Sequence, residues 1–283
     1  MIHIGLTGWG DHHKLYASGV KPQDKLATYA AHFICVEVDA SFYAIQPEKN
    51  TLKWVNETPT DFKFIVKAYQ GMTGHARGDD HYQSKSEMFE TFKVSLKPFI
   101  DAGKLAMVLF QFPPWFDVSK DHLLYLRYVK QKMGNLPVAI EFRNQSWYKK
   151  AHREETIEYL KKLTFYHSIA DEPQVGDGSV PFVPISTHKD KVLIRLHGRN
   201  RAGWTRPEDK ETNWREVRYL YRYNKIELEE IKKTILALEK VTKEVYVIFN
   251  NNSGTDASDN GKMLKQMLDI DEEGLAARQL SLF

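Results

Sequence analysis

Eleven polar residues stand at or just past the ends of short apolar runs: Glu37, Asp39, Lys67, Gln111, Glu141, Arg143, Asp171, Arg195, His197, Arg199 and Asn250. Their types suit acid–base and anion-binding chemistry. Glu37 and Glu141 can act as paired carboxylates flanking a sugar or a phosphodiester, with His197 as a proton shuttle. Arg143, Arg195 and Arg199 carry guanidinium forks that match phosphate and carboxylate oxygens. Lys67 and Gln111 would help hold the substrate, and Asp171 and Asn250 would act from neighbouring strands. Trp9, Phe42, Tyr43 and Trp147 follow the same run ends and can line a pocket, although core packing explains aromatic residues equally well. Structure alone offers a competing account: Glu141, Arg143 and Arg195 form a buried salt-bridge network that closes the fold.

A metal centre is the weaker chemical reading. Glu37, Asp39, Glu141 and Asp171 can converge on a hard divalent cation. Arg143, Arg195, Arg199 and Lys67 would share that space and neutralise them, and no His-Glu-x-x-His pattern occurs. No metal or other cofactor is therefore expected. The single cysteine, Cys35, excludes an intrachain disulfide and lies in the apolar run Phe33–Val36, where it reads as a small buried hydrophobe.

Positioning such residues requires a scaffold. Eight apolar runs are expected to be strands: Ile2–Gly8, Ile34–Asp39, Phe62–Ala68, Leu105–Gln111, Val138–Arg143, Phe165–Asp171, Val192–His197 and Val245–Asn250. Between them, Ser84 with Glu87 opens a helix that stops at Gly103, and Pro47 starts one running to about Glu57. Asn224 with Glu227 opens a long helix burying Leu228, Ile231, Ile235 and Leu238 on one face. Because polarity rises at the end of nearly every run, the pattern predicts a single (β/α)8 TIM-type barrel with a polar ring at its C-terminal mouth. A doubly wound sheet would gather its ligand groups at one switch point instead. The barrel is expected over residues 1–270, with long loops after strands 6 and 7. A short flexible tail follows over 271–283.

Several strand-end segments form an ordered set: Glu37-Val38-Asp39-Ala40-Ser41-Phe42-Tyr43, Phe110-Gln111-Phe112-Pro113-Pro114 and Glu141-Phe142-Arg143-Asn144-Gln145-Ser146-Trp147. Ala170-Asp171-Glu172-Pro173, Arg195-Leu196-His197-Gly198-Arg199 and Phe249-Asn250-Asn251 complete it. The set resembles the YecE-like family, domain of unknown function 72. That resemblance implies a TIM-type barrel and no assigned activity. Asp39 stands where members of that family often carry Asn, adding a negative charge beside Glu37.

Overall charge is mild: the chain of 283 residues carries a net +3. That alone requires no nucleic-acid or membrane partner. No apolar stretch approaches the ~18 residues of a membrane span, and the N-terminus reads as a strand, so a cytoplasmic location is expected. Local clustering differs. From Arg195 to Lys225 there are seven arginines and two lysines against four acidic residues, interleaved with Trp204, Trp214, Tyr219, Tyr221 and Tyr223. Such a stretch can grip a nucleic-acid backbone and stack bases, or it can be an ordinary solvated loop. The segment from Glu172 to Lys191, with Pro173, Pro181 and Pro184, is a candidate lid.

The chain ends Gln279-Leu280-Ser281-Leu282-Phe283, which looks like the short peptide by which bacterial replication and repair proteins bind the sliding clamp. Gln279 offers an amide to a polar slot, while Leu280, Leu282 and Phe283 supply apolar anchors. Packing of those side chains under the barrel is the competing explanation. Tethering to a clamp would raise the local concentration of DNA around a near-neutral protein. The combined expectation is a clamp-tethered hydrolase acting on a phosphodiester or glycosidic bond in DNA or a nucleotide-containing lesion. A small-molecule enzyme acting on a sugar or sugar phosphate and a non-catalytic clamp adaptor are the alternatives.

Overall fold

In the computed structural model, which describes residues 1–76, 82–204, 214–270 and 274–276, eight parallel strands close into a barrel in sequence order. They are β1 (Ile2–Thr7), β2 (Cys35–Val38), β3 (Lys63–Lys67), β4 (Leu105–Gln111), β5 (Val138–Glu141), β6 (Tyr166–Asp171), β7 (Lys191–Leu196) and β8 (Glu244–Phe249). Helix α1 (Lys25–Tyr29) lies between β1 and β2, while α2 (Ala40–Tyr43) and α3 (Glu48–Asn56) link β2 to β3. The next three connections carry α4 (Lys85–Asp101), α5 (Lys120–Met133) and α6 (Arg153–Lys162). Between β7 and β8 come α7 (Arg201–Trp204), α8 (Trp214–Arg218) and α9 (Lys225–Glu239), and α10 (Asp256–Met267) follows β8.

Local signals explain several of these boundaries. Ser84 caps α4 by accepting from Glu87 N, and Gly103, with φ of +65°, follows its end. Asn224 and Glu227 make a reciprocal capping box on α9, whose buried face is Leu228, Ile231, Ile235 and Leu238. The connection from β6 to β7 has no α-helix. Val180, Val183 and Thr187 are buried, and the Thr187 hydroxyl donates to Phe165 O while accepting from His167 N. The Glu172–Lys191 segment expected as a lid is therefore packed along the barrel wall.

Strand alternation sorts the barrel interior into layers. Cys35, Ile65, Leu109, Ala139, Tyr166, Leu193 and Ile248 belong to one buried cluster inside the barrel. Two residues further along each strand stand Glu37, Lys67, Gln111, Glu141, Ser168, Arg195 and Asn250. The apolar fill thus gives way to a polar layer at the C-terminal mouth. Register holds that layer level, with Thr7 paired to Glu37 and Gln111 to Glu141. Most of the other apolar side chains pack between the strands and the helices.

Of the expected tail, residues 274–276 lie against the barrel, where Ala276 N donates to Ala30 O. Gln279, Leu280, Leu282 and Phe283 fall outside the described residues. No helix among the described residues is long and apolar enough to cross a membrane.

On β1 the interior position is Gly5, where an added Cβ would stand 2.2 Å from Cys35 O. Because this clash is with backbone, Gly5→Ala is expected to cost about 3 kcal/mol or more. Thermal melting checks this, and a variant as stable as the parent would contradict the packing described.

Candidate active site at the barrel mouth

Arg195 occupies the centre of the polar layer. Its Nε and Nη2 donate to the two oxygens of Glu37 at 2.7 and 2.6 Å. On its other edge, Nη1 donates to Glu141 at 2.9 and 3.0 Å and to Gln111 Oε1 at 3.0 Å. Glu141 also accepts from Arg143 Nη1 at 3.3 Å and from Ser168 Oγ at 3.0 Å. His197 Nε2 lies 3.3 Å from the same carboxylate. Glu37, Glu141, Arg195 and His197 are each at most 1 % exposed. Arg143 then reaches Glu172 Oε2 at 2.8 Å, extending the network to the start of the β6–β7 connection.

The charge states follow from these contacts. Burial works against ionisation of Glu141, but Arg195, His197 and Arg143 together hold its carboxyl well below the usual range. Burial pushes Glu37 up, against the pull of Arg195. The two carboxylates are therefore inequivalent. Burial also disfavours charge on Arg195, yet Glu141 and Glu37 outweigh it and raise its pKa. His197 is lowered to about 3, by burial first and then, against the pull of Glu141, by Arg195 and Arg143. With Asn250 Nδ2 2.8 Å from Nδ1, the neutral imidazole carries its proton on Nε2 and donates to Glu141.

Several residues expected as one site are thus placed in different roles. Glu37, Glu141 and His197 are brought together, but their polar atoms are engaged with one another and with Arg195. Acid–base work by Glu37 and Glu141, with His197 as shuttle, would first require those bonds to open. Asp171 does not join the ring, because it has the opposite strand parity to Ser168. It binds Arg199 through three contacts of 2.9–3.1 Å and accepts from Tyr223 OH at 2.7 Å. Gly198, with φ of +83°, breaks the alternation and sends Arg199 to that outer pair. The four carboxylates proposed above for a cation are consequently split: Asp39 pairs with Lys67 at 3.3 Å, and no group of three metal-ligating side chains occurs among the described residues.

Trp9 packs edge-on against Trp54 at 5.1 Å, and Trp147 is a core residue stacked on Phe142 at 4.1 Å. Tyr43 is exposed at the rim, edge-on to Phe42. The Lys67 ammonium lies 4.7 Å from the Phe42 ring centroid. Beside it stands a residue that the strand pattern missed, His75. Its ring meets Phe42 and Trp115 edge-on at 5.1 and 5.8 Å, and its pKa is lowered to about 4 by burial, Lys67 and Arg143. The Thr73 hydroxyl lies within hydrogen-bond distance of Gln70 O and 2.8 Å from His75 Nδ1. When that hydroxyl donates to Gln70 O, the ring proton is on Nδ1 and Nε2 bears a lone pair; when it donates to Nδ1, the proton is on Nε2. His75 follows β3 by eight residues, so strand-end alternation could not find it; its only sequence signal is the neighbouring Thr73. Ser168, inside β6, and Glu172, just past its end, are likewise network residues that the rise of polarity at strand ends does not single out.

His75, His167 and His197 all have native pKa values below the 6.5 of an unperturbed imidazole, at about 4, 4 and 3. From pH 6.5 down to about 4 the unfolded chain therefore binds protons that the native state refuses, so stability falls as pH falls. Denaturant unfolding at about pH 5 should give a free energy lower than at pH 7.5 by about 2 kcal/mol or more. Equal stability at both would contradict the neutral buried imidazoles.

Comparison with known proteins agrees with this architecture. Residues 3–281 match the family described as "Protein of unknown function DUF72". The chain is 57 % identical to the UPF0759 protein YunF of Bacillus subtilis over 283 residues, covering 100 % of each. It is 27 % identical over 157 residues to the UPF0759 protein YecE of Escherichia coli, spanning 56 % of this chain and 54 % of that one. A crystal structure of a DUF72 family protein from Enterococcus faecalis superposes with a TM-score of 0.92 at 37 % identity, covering 99 % of this chain and 100 % of that one. A D-psicose 3-epimerase shares the fold, with a TM-score of 0.51 at 9 % identity over 94 % of this chain and 99 % of that one. With the family matched along nearly its whole length, this chain belongs to the DUF72 family of TIM-type barrels.

Proposed function

We propose that the protein is a barrel hydrolase acting on a phosphodiester or glycosidic bond in DNA or a nucleotide-containing substrate. The observation that carries this reading is the grouping of Lys67 and His75 about the Phe42 ring, 4.7 and 5.1 Å from its centroid, above a fully buried charged floor from which Arg143 also acts on the imidazole. Thr7 Oγ1, in the same polar layer, is buried without a hydrogen-bond partner among the described residues. Tyr43 and Trp115, 58 % and 56 % exposed, add flat apolar surface at the rim. Cations beside exposed rings suit a substrate that combines a phosphate with a base or sugar.

In this reading Lys67 and Arg143 hold the anion, and the neutral His75, in the tautomer protonated on Nδ1, accepts a proton at Nε2. Arg195, Glu37, Glu141 and His197 fix the electrostatic floor, with Gln111 and Asn250 keeping Arg195 and His197 in place. Asp171 with Arg199 secures the wall formed by Tyr223. The C-terminal segment with Gln279, Leu280, Leu282 and Phe283 belongs to the same proposal, as the tether to a bacterial sliding clamp.

Purified protein should cleave a panel of damaged or nicked DNA duplexes. His75→Gln is expected to lower kcat by about 100-fold or more, while Lys67→Met chiefly raises KM. A chain ending at Arg278 should lose clamp binding and keep its intrinsic activity. Turnover confined to sugar phosphates would replace DNA as substrate. Clamp binding without any turnover would leave an adaptor.

A further inference from the structure

Arg218 ends α8 with its guanidinium between two indoles. Its Cζ lies 4.2 Å from the Trp204 ring centroid and 4.6 Å from that of Trp214, with Tyr219 at 5.5 Å. Arg143, arriving from the end of β5, places its Cζ 5.3 Å from the same Trp204 ring. That ring is a fixed wall: Trp204 is buried, and its Nε1 donates to Gly178 O at 2.8 Å. Two guanidiniums, one from the end of β5 and one from α8, therefore share one aromatic platform.

Among the described residues their charges are incompletely matched. Glu172 is the carboxylate that both feel, and Arg143 already contacts it at 2.8 Å. Glu141, the second partner of Arg143, is shared with Arg195. Arg218 Nε is buried and has no hydrogen-bond partner among the described residues. A buried donor without an acceptor is costly, and it belongs to a group whose charge is further opposed by Arg143. Stacking on indoles orients a guanidinium without consuming its N–H donors, which lie in the plane of the group. An oxyanion would satisfy the Nε donor and offset the repulsion between the two cations. A phosphate suits two forks better than a carboxylate does, because it presents more oxygens and a higher charge.

We propose that Arg218 and Arg143, both packed against Trp204, form a binding site for the phosphate group of a phosphate ester. Tyr219, 6.2 Å from the His197 ring and 6.4 Å from the Trp204 ring, joins this site to the polar floor. The site would fix one end of the substrate while the reacting bond lies over Lys67 and His75. It deepens the hydrolase reading and rests on that reading for the identity of the substrate, but binding of phosphate can be measured without turnover.

The test is calorimetric titration of the full-length protein with inorganic phosphate, and separately with acetate at matched ionic strength. The parent protein should bind phosphate in preference to acetate. Arg218→Met should weaken phosphate binding at least about tenfold, and Arg218→Lys, which keeps the charge and loses the fork, should weaken it by a smaller factor. Should the Met variant fail to fold, as thermal melting would show, the Lys variant carries the comparison. Unchanged phosphate affinity in the folded variants, acetate bound as tightly as phosphate, or no binding by the parent would each overturn the site. Phosphate binding that depends on Arg218, in a protein that cleaves no DNA, would instead remove the hydrolase reading and leave this site standing.

Discussion

Arg195 is buried at the centre of the barrel mouth, and the arrangement around it depends on neutralising that one charge. Moving an isolated guanidinium out of water is prohibitive, so the fold supplies carboxylates on two sides. Glu37 faces one edge of the fork and Glu141 the other, from β2 and β5. Those carboxylates are themselves buried, which recruits Ser168, Arg143 and His197 as further donors around Glu141. His197 in turn is fixed by Asn250. Thus β2, β4, β5, β6, β7 and β8 are joined by side chains as well as by the strand ladder. A hydrophobic replacement of comparable shape would close a barrel with less desolvation. That the charges are present, directly beneath cations with spare donors, is what makes the mouth a candidate site.

The division of the barrel into an apolar interior and a polar mouth also locates the chemistry. Below the network, Ile65, Leu109, Leu193 and Ile248 fill the barrel, leaving reactive chemistry to the rim. Above it, the connections after β3, β5 and β7 supply His75, Arg143, Trp204 and Arg218. The charged floor around Arg195 is densely bonded internally, whereas Arg218 at the rim retains a donor without a partner among the described residues. Preorganised charge below and adjustable contacts above is a general arrangement for stabilising a charged transition state.

Much of this was legible in the sequence because parallel strands buried on both faces read as short apolar runs. Polarity appearing at the same end of each run identified the mouth, and residues spaced by two, such as Glu141 with Arg143, marked a shared face. The same rule already contained the separation of Asp171 from the ring, since its parity differs from that of Ser168. It could not show that Glu37 and Glu141 would be occupied by Arg195, because pairing across the barrel depends on register and tilt. His75 and Arg218 lay beyond its reach, as both sit on connections whose course is set by packing. The Glu172–Lys191 segment looked like a lid from its prolines and length. Its role along the wall depends on Val180, Val183 and Thr187 finding buried positions, which no local signal announces.

The most direct test of this account is a double-mutant cycle between Arg195 and Glu37, read by equilibrium unfolding. Arg195→Met should cost about 3–5 kcal/mol, because it removes the cation that buried Glu37 and Glu141 share and leaves Glu141 only Arg143. Glu37→Gln in the same chain should recover part of that loss, giving a coupling of about 2 kcal/mol or more. Losses that add to within about 0.5 kcal/mol would mean that the two side chains do not depend on each other, and the central network would not be what organises the mouth.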